Sequence, residues 1–339
     1  MIKFAVIGID HRHVFELIEG LTSAGATCAG YLSTTSDARV LQGIEKRFPQ
    51  LRAVDNADEF LQDPTINLIV TAGVPSERAQ IAISAMKHGK DVLSDKPGVT
   101  SHEQLEQLQA TVRETGRLFA ICFSERMTVP SVTTAQRLIA EGAVGEVIHT
   151  LGMGPHRLNR AIRPAWFFDK KYYGGILADI ASHHVDQFLV LTGSTDAEIA
   201  HASVAHFGKT TANDFQDFGE LSLVSTTNRA RGYCRVDWFT PDGLPTWGDG
   251  RLFIAGTEGS IEIRKYLDIE GRAGTDHLFL CDRSGTRHVD CTNEPITFFA
   301  KLVNDVQNRT QLAVSHEHTF TVCRLALDAQ ARAEQVQKP

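Results

Sequence analysis

One short segment, Gly-Gly-Ile-Leu-Ala-Asp-Ile-Ala-Ser-His-His at residues 174–184, combines a carboxylate with two imidazoles. If the segment is helical, Asp179 and His183 lie four positions apart, so their side chains share one helix face. The other face is apolar, with Ile176, Leu177, Ile180, Val185, Phe188 and Leu189. A histidine beside a carboxylate can take up and return a proton near neutral pH. Taken alone, the segment is explained somewhat better by a solvated face or by a structural histidine whose hydrogen bonds are satisfied.

A lysine in Ser94-Asp95-Lys96-Pro97-Gly98 follows an apolar run that predicts a strand. Ligands of parallel sheets bind at the carboxyl ends of the strands, so an ammonium group there is placed to contact a ligand. Pro97 restricts the turn, and a cis bond before it would help to aim the side chain. A surface lysine paired with Asp95 explains the same pattern.

The first predicted strand ends at Gly8-Ile9-Asp10-His11-Arg12-His13, where a dinucleotide-binding turn would carry G-x-G-x-x-G. Only the first glycine is present, and Asp10 would bring a carboxylate near the phosphates, partly offset by Arg12. This motif alone favours a plain strand-to-helix turn. His11 and His13 have no carboxylate or cysteine partner at helical spacing, so the sequence predicts no metal site here.

The second predicted strand ends at Leu32-Ser33-Thr34-Thr35, where an NAD-selective site usually has an acidic residue on the ribose. Ser33 and Thr34 are neutral, and Arg39 follows, which slightly favours NADP over NAD. The alternative is an ordinary helix cap from Ser36 or Asp37.

The elements that must position these residues alternate between strand and helix over the first 124 residues. Predicted strands are Lys3–Ile7, Thr27–Leu32, Leu68–Ala72, Asp91–Ser94 and Leu118–Phe123. Predicted helices are Val14–Ala24, Asp37–Phe48, Glu77–His88 and His102–Thr115. Short apolar strands between amphipathic helices predict a doubly wound parallel sheet of the Rossmann type.

From residue 125 onward the pattern predicts a second, α+β domain with a large, mostly antiparallel open sheet. Predicted strands are Glu146–Met153, Ala200–Phe207, Phe218–Val224, Arg229–Trp238, Leu252–Ala255, Ser260–Ile263 and His277–Cys281. Helices are predicted over Pro295–Val306 and His316–Gln335. The predicted domains are therefore residues 1–124 and 125–339, with a C-terminal helix that can pack back on the first.

Composition sets further limits on the class of protein. The chain has 339 residues and a formal net charge of −7, which does not favour nucleic-acid binding. We expect no secretion signal, because the apolar Ile2–Ile9 is short, and no run approaches a membrane span. The six cysteines form no C-x-x-C pair, so we expect buried thiols in a cytoplasmic protein rather than disulfides or a zinc site.

Three runs together resemble the Gfo/Idh/MocA family of nicotinamide-dependent sugar and polyol oxidoreductases. Residues 85–97 match A-x-x-x-G-K-x-V-x-x-E-K-P, residues 141–147 match E-G-x-x-G-E-V, and residues 256–262 match G-T-x-G-x-I-E. The Gly-Gly-x-Leu-x-Asp-x-x-x-His run at 174–183 completes the resemblance. This chain departs from the family in its degraded glycine turn, in Asp95 for the usual Glu, and in Ala181 for a frequent Gly.

The resemblance implies reversible hydride transfer between a secondary alcohol of a carbohydrate or polyol and NAD or NADP. It implies a catalytic set of Lys96, Asp179 and His183, with His183 as general base, Lys96 stabilising charge on the reacting oxygen, and Asp179 orienting the histidine or binding a neighbouring hydroxyl. Expected cofactor-binding residues are Gly8, Asp10, His11, Arg12, His13, Ser33, Thr34, Ala72, Gly73, Asp95, Lys96 and Pro97. Expected substrate-binding residues are Lys96, Arg126, Arg157, Arg163, Trp166, Asp179, His183 and His184.

The family's reach leaves two other functions open. Some relatives oxidise a sugar transiently, eliminate a substituent and reduce the product again, which is net glycoside hydrolysis with retained NAD. A regulator that only senses dinucleotide is the non-enzymatic alternative, favoured weakly by the degraded glycine turn. An apolar face of the large sheet also predicts a homodimer or homotetramer.

Overall fold

The computed structural model describes residues 1–208 and 215–337, and its residues form two compact units. Within the described residues, the first unit contains 1–122, 164–174 and 297–323, and the second contains 123–163, 175–208, 215–296 and 324–337. Both units are therefore built from separate pieces of the chain. A domain division at residues 124 and 125 stays a prediction, and its last two residues, 338 and 339, lie outside the described residues.

The strands are β1 Lys3–Val6, β2 Thr27–Leu32, β3 Ala53–Val54, β4 Leu68–Thr71, β5 Asp91–Asp95, β6 Phe119–Cys122, β7 Val147–Pro155, β8 Ala197–Ala205, β9 Phe218–Ser225, β10 Arg231–Asp237, β11 Arg251–Gly256, β12 Ser260–Arg264, β13 His277–Asp282 and β14 Gly285–Val289. The short β3 and the terminal β14 carry too little apolar patterning to have been predicted.

The α-helices are α1 Val14–Ser23, α2 Ala38–Arg47, α3 Asp58–Leu61, α4 Pro75–Lys87, α5 His102–Thr115, α6 Ser124–Met127, α7 Pro130–Ala140, α8 Lys170–Tyr173, α9 Ser182–Thr192, α10 Phe298–Asn308 and α11 His316–Gln337. Short 3-10 turns cover Arg160–Ile162 and Ala165–Phe168, and a π-helical turn covers Leu177–Ala181. Among the described residues no helix combines the length and apolar character needed to cross a membrane.

In the first unit, six parallel strands are ordered β3-β2-β1-β4-β5-β6. Strands β4, β5 and β6 are buried along their whole length, because helices cover both faces of such a sheet. The chain order reverses between β1 and β4, which is the switch point where doubly wound sheets bind ligands. The predicted Rossmann-type sheet is confirmed.

In the second unit, eight strands are ordered β14-β13-β12-β11-β7-β10-β9-β8. Only the β7–β10 pair is parallel among the described pairings, so the prediction of a mostly antiparallel sheet is confirmed. Burial alternates along β9, as expected when one face of a sheet packs on a core. That core joins α7 to β11, β12 and β13 through Val132, Ala135, Leu138, Ile254, Ile261 and Leu280.

The cysteines are all free thiols, as the sequence predicts, but not all of them are buried. Cys281 is exposed at the end of β13 and Cys28 is half-buried, whereas the other four are buried. Position 281 falls on the solvated side of an alternating strand, and an apolar run alone does not reveal which side that is.

Candidate functional site

The carboxyl ends of β1, β4 and β5 lie side by side in the first unit and form what we call the nucleotide edge. Gly8 follows β1 with φ of +88°, a conformation that favours glycine. A Cβ on Gly8 would lie 2.9 Å from the Cα of Gly73 and 2.9 Å from Oγ1 of Thr71, at the end of β4. The one retained glycine of the fingerprint is therefore required by this close approach of the two turns.

Arg78 of α4 holds the nucleotide edge together and is 1% exposed. Its Nε donates to the carbonyl of Gly73 at 2.8 Å, and its Nη1 donates to the carbonyls of Lys96 and Pro97. Its Nη2 lies 3.1 Å from Oδ2 of Asp95. Sequence reasoning missed this residue, although an arginine on the face of α4 that otherwise carries alanines and Met86 was a usable signal.

Asp95 also brings together the two histidines of the β1–α1 turn. His13 Nδ1 lies 2.9 Å from Asp95 Oδ1, and His11 Nδ1 lies 3.1 Å from Asp95 Oδ2. The sequence offers no partner at helical spacing, and the carboxylate comes instead from β5, 82 residues from His13. Spacing along one helix could not have revealed it.

The electrostatics of this cluster follow from burial and from its charges. Burial and the neighbouring His13 lower the pKa of His11 to about 3, against the raising effect of Asp95. Burial acts to raise the pKa of Asp95, but the charges of His13 and Arg78 and the hydrogen bond from His13 hold it well below its ordinary value. Asp95 is therefore ionised at neutral pH.

Asp10 faces the loop after β2. Its Oδ1 accepts hydrogen bonds from the Ser36 backbone at 2.6 Å, the Ser36 hydroxyl at 2.7 Å and the Thr35 hydroxyl at 3.0 Å. Ser33 donates to Asp55 at 2.6 Å in the same region. Carboxylates thus surround the neutral loop that the sequence associates with the ribose.

Arg39, which the sequence offers as a partner for a 2′-phosphate, pairs with Asp37 instead. Its Nε lies 3.1 Å and its Nη2 3.2 Å from the two Asp37 oxygens. The cap predicted from Ser36 or Asp37 is supplied by Asp37, which accepts from the Arg39 backbone at 3.0 Å.

The remaining predicted residues of the first unit take the following positions. Lys96 is 6% exposed and precedes Pro97 through a cis peptide bond. Ala72 is buried after β4, and Arg12 and Thr34 are exposed. Trp166 is 8% exposed in a 3-10 turn that belongs to this unit.

In the second unit, His183 and His184 line one cleft with Glu125, His156, Lys265 and Tyr266, which we call the histidine cleft. The segment is not the single continuous α-helix that the spacing argument for Asp179 and His183 assumed. A π-helical turn covers Leu177–Ala181, so Asp179 lies on a turn with i→i+5 hydrogen bonding before α9 begins. The four-residue spacing of Asp179 and His183 therefore does not have its α-helical meaning. Such turns occur frequently at functional sites.

Each histidine has a local reason for its place. His183 is 3% exposed and packs edge-to-face on Phe123, with ring centroids 6.5 Å apart. His184 lies over β7, where a Cβ on Gly152 would come within 2.3 Å of its Nδ1 and a Cβ on Gly154 within 2.7 Å of its Nε2. Glycines in β7 thus make room for the imidazole of His184. Successive residues of an α-helix point about 100° apart, yet both His183 and His184 line the cleft.

Glu125 and Lys265 form an ion pair in the histidine cleft, with 2.7 Å between Oε1 and Nζ and side chains 25% and 22% exposed. Burial acts to raise the pKa of Glu125, but Lys265, His183 and His156 hold it well below its ordinary value. Burial acts to lower the pKa of Lys265, and Glu125 reverses that effect. Burial lowers the pKa of His184, with Glu125 and Gln187 opposing.

Sequence reasoning missed Glu125, His156, Lys265 and Tyr266. Glu125 follows β6 and Lys265 follows β12, so their meeting depends on tertiary structure. The usable signal was weak: Lys265 comes directly after β12, and Glu125 comes three residues after the end of β6.

Three predicted substrate residues have partners within the second unit. Arg126 donates to both oxygens of Asp186, at 2.7 and 2.8 Å, in a buried bidentate pair. Arg157 donates to the Thr246 carbonyl at 3.0 Å and lies 3.1 Å from Asp242. Arg163 packs over Trp238 and Trp247, 5.3 and 5.2 Å from the ring centroids. The contacts of Arg157 and Arg163 hold the loop that places Trp247 at the cleft.

The chain combines a doubly wound sheet that has a switch-point turn with a separate mixed sheet that carries a histidine cleft, which is the architecture expected of a two-unit nucleotide-binding protein. Family comparison agrees with this class. Residues 2–123 match the "Oxidoreductase family, NAD-binding Rossmann fold" and residues 132–262 match the "GFO/IDH/MocA C-terminal domain". The chain belongs to the Gfo/Idh/MocA family, and the predicted nicotinamide cofactor, NAD or NADP, is confirmed at this level.

Individual relatives are consistent with that assignment. The chain is 28% identical over 272 residues to scyllo-inositol 2-dehydrogenase (NAD(+)) of Bacillus subtilis, covering 77% of this chain and 73% of the relative. It is 28% identical over 157 residues to levoglucosan dehydrogenase of Pseudarthrobacter phenanthrenivorans, covering 45% and 40%. A crystal structure from Erwinia carotovora atroseptica, named only as an oxidoreductase, has 40% identity and a TM-score of 0.94 over 98% of this chain and 99% of that one.

Proposed function

We propose that this protein is an NAD-dependent dehydrogenase that oxidises a secondary alcohol of a carbohydrate or polyol, or reduces the matching ketone. The observation that carries the proposal is His183, buried at 3% exposure in a cleft with an ionised carboxylate and a second imidazole. The relatives named for inositol and levoglucosan support the substrate class.

The cofactor fits the nucleotide edge, because Gly8 leaves room for backbone at the switch point and Gly73 lies opposite it. Gly8, His11, His13, Ala72 and Gly73 would hold it. The bound nicotinamide supplies the hydride acceptor or donor. His183 takes the hydroxyl proton in the oxidation and returns it in the reduction. Lys96 donates a hydrogen bond to a substrate oxygen and stabilises charge on it, and Asp179 orients His183 or binds a neighbouring hydroxyl.

The test is a panel of polyols, inositols, anhydrosugars and aldoses with NAD, followed at the nicotinamide absorbance. We expect stoichiometric NADH formation with at least one member. Retained NAD with glycoside cleavage and no net NADH would favour the glycosidase alternative. Dinucleotide binding without turnover of any member would favour a sensor.

Preference for NAD over NADP rests on the charges around the β2–α2 loop. Asp10 accepts from Thr35 and Ser36, and Asp55 accepts from Ser33. Arg39 is paired with Asp37, so the guanidinium next to the loop is already neutralised. A 2′-phosphate would meet carboxylates here, and like charges at close range repel. The slight preference for NADP read from the sequence is replaced by a proposed preference for NAD.

The selectivity is tested with Asp10→Asn, which keeps the size of the side chain and removes its charge. We expect kcat/KM with NADP, relative to NAD, to rise about tenfold. Glu103→Gln, at an exposed position in the first turn of α5, is the matched control and should leave the ratio unchanged. A wild-type preference for NADP, or an unchanged ratio in Asp10→Asn, would contradict the assignment.

We also propose a homodimer or homotetramer that associates through the face of the eight-stranded sheet opposite its core. Along β9 and β10 the side chains of that face are half-buried and mixed in character, with Val224 and Tyr233 beside Glu220 and Arg235. Sedimentation of the purified protein tests this, and a monomer at micromolar concentration would remove it.

A further inference from the structure

His11, His13 and Asp95 bring one candidate ligand atom each to a small volume at the nucleotide edge. All three atoms lie within 4.8 Å of one another. The histidine side chains are 19% and 29% exposed and that of Asp95 is 2% exposed, so the cluster is held by the fold yet open on one side. Two imidazoles and one carboxylate are a common ligand set for a divalent transition metal.

Two atoms of the cluster are close without satisfying each other. His11 Nδ1 and Asp95 Oδ2 are 3.1 Å apart and buried, yet among the described residues neither has an aligned hydrogen-bond partner. The rings of His11 and His13 are perpendicular, with centroids 4.2 Å apart. Buried polar atoms rarely lack a hydrogen-bond partner. Because His11 Nδ1 and Asp95 Oδ2 are close but not aligned for a hydrogen bond, an ion bound to both would satisfy them.

The surroundings of Asp95 are those of a supported metal ligand. Arg78 Nη2 lies 3.1 Å from Asp95 Oδ2, and the rest of its guanidinium is fixed by the carbonyls of Gly73 and Pro97. Such outer partners orient ligating carboxylates. With neutral histidines, the charges of Arg78 and Asp95 cancel, so a divalent ion would make this cluster cationic. That charge suits a pyrophosphate and offsets the two missing glycines of the turn.

We propose that His11, His13 and Asp95 bind one divalent transition-metal ion of the zinc or ferrous type. Its remaining positions face the phosphate-binding edge and accept water or a phosphate oxygen of the dinucleotide. Imidazole ligands favour such ions over Mg²⁺ and Ca²⁺. The metal site does not depend on the proposed dehydrogenase activity, whereas the phosphate contact rests on dinucleotide binding.

The test uses full-length, tag-free protein that has been stripped with a chelator and then titrated with Co²⁺ and with Zn²⁺. We expect one equivalent of Co²⁺ to bind with visible d–d absorption, and one equivalent of Zn²⁺ to displace it. His11→Ala and His13→Ala should each weaken binding at least about tenfold. His88→Ala, which changes an exposed histidine of the same unit, is the matched control and should bind like the wild type.

The variants separate a site from a folding defect. Thermal unfolding of each stripped variant shows whether it is folded, and the two partly exposed histidines keep the test valid if Asp95→Asn unfolds. No stoichiometric Co²⁺ or Zn²⁺ binding, or equal binding by a folded His11→Ala/His13→Ala double variant, would overturn the site. NAD affinity that is equal with and without the metal would overturn the phosphate contact. Neither readout requires turnover, so failure of the dehydrogenase assay is a separate result.

Discussion

Each compact unit contains a buried arginine–aspartate pair, and the two pairs are used differently. In the second unit, Arg126 and Asp186 meet with two parallel hydrogen bonds of 2.7 and 2.8 Å. In the first unit, Arg78 Nη2 lies 3.1 Å from Asp95 Oδ2, whereas its Nε and Nη1 donate to backbone carbonyls. The oxygens of Asp95 then also face His11 and His13.

A buried arginine–aspartate pair can serve only to stabilise the fold, or it can form part of a binding site. A bidentate pair satisfies both ions with each other and fixes their geometry. When a carboxylate is shared by an arginine and two histidines, the arginine orients it. The carboxylate and the two imidazoles can then bind a common ligand. Residue types alone do not distinguish the two pairs. They differ in how many side chains contact the aspartate, which is in contact with Arg126 in one unit and with Arg78, His11 and His13 in the other.

The largest expected effect belongs to the residues proposed to act on the substrate. Lys96→Ala and His183→Ala should each lower kcat by about 10²–10⁴-fold while the fold survives, because each removes a group that handles a proton or charge in the reaction. Steady-state kinetics on the best substrate of the panel, with circular dichroism as a folding control, measure this. Lys87→Ala, an exposed lysine of α4, is the matched control. Near-normal turnover in either variant would refute the assigned role.

The next largest effect is expected when the bidentate Arg126–Asp186 pair is broken. Arg126→Met should lower the free energy of unfolding by about 3–5 kcal/mol, because it leaves the fully buried Asp186 carboxylate without its bidentate partner. Chemical denaturation followed by fluorescence measures the change. Metal binding by the first unit should not change in this variant. A loss of less than about 1 kcal/mol would show that Asp186 finds other partners and would break the contrast with Asp95.

The Arg78–Asp95 pair allows a more specific test than the Arg126–Asp186 pair, because it is proposed to support a metal site. Arg78→Met should also destabilise the protein, because Asp95 is buried and loses a cation. It should in addition weaken Co²⁺ binding at least about tenfold, since an oriented ligand loses its outer partner. Equal metal affinity in a folded Arg78→Met protein would place Arg78 in the same structural role as Arg126.

A smaller effect is expected from the carboxylate of the histidine cleft. Glu125→Gln removes a negative charge that acts to raise the pKa of His184 and that interacts with His183. The pKa of His184 should therefore fall, and because the cleft then favours a protonated imidazole less, the acidic limb of the kcat profile for alcohol oxidation should move to lower pH. Glu103→Gln should leave the profile unchanged. A shift to higher pH would show that Glu125 does not act on the histidines through its charge.

The smallest effect concerns stability against pH. Burial lowers the pKa of His184 in the folded protein below the ordinary value of 6.5. The unfolded chain therefore binds this proton first, so stability is present above pH 6.5 and is lost as the pH falls toward the lowered value. Denaturation at pH 8 and pH 5 should show a smaller difference for His184→Asn than for the wild type. An equal difference would assign the acid sensitivity to other groups.

Much of the fold could be predicted from the sequence, because it depends on local periodicity. Strand β2 and helix α5 begin and end at the predicted residues, and most other bounds differ by one to three. Apolar runs separated by amphipathic helices suffice for a parallel sheet, since burial on both faces leaves no other pattern. The resemblance to the Gfo/Idh/MocA family likewise came from contiguous motifs.

The candidate sites could be predicted only in part, because contiguous motifs name residues without their partners. The catalytic roles of Lys96, Asp179 and His183 stay a prediction that the proposed kinetics test. The π-helical turn at Leu177–Ala181 arises without a distinctive sequence signal and alters the meaning of the Asp179–His183 spacing. Arg126 was expected at a substrate, and its bidentate pairing with Asp186 depends on how α6 meets α9.

The sequence by itself determined the two kinds of sheet, the family and the nicotinamide cofactor, since periodicity and contiguous motifs are properties of neighbouring residues. Only the tertiary structure decided that Asp95 joins His11 and His13, that Asp10 turns to the loop after β2, and that Glu125 pairs with Lys265. The physical reason is range: side-chain charges interact over a few ångströms in space, and strands distant in sequence supply the two sides of each contact.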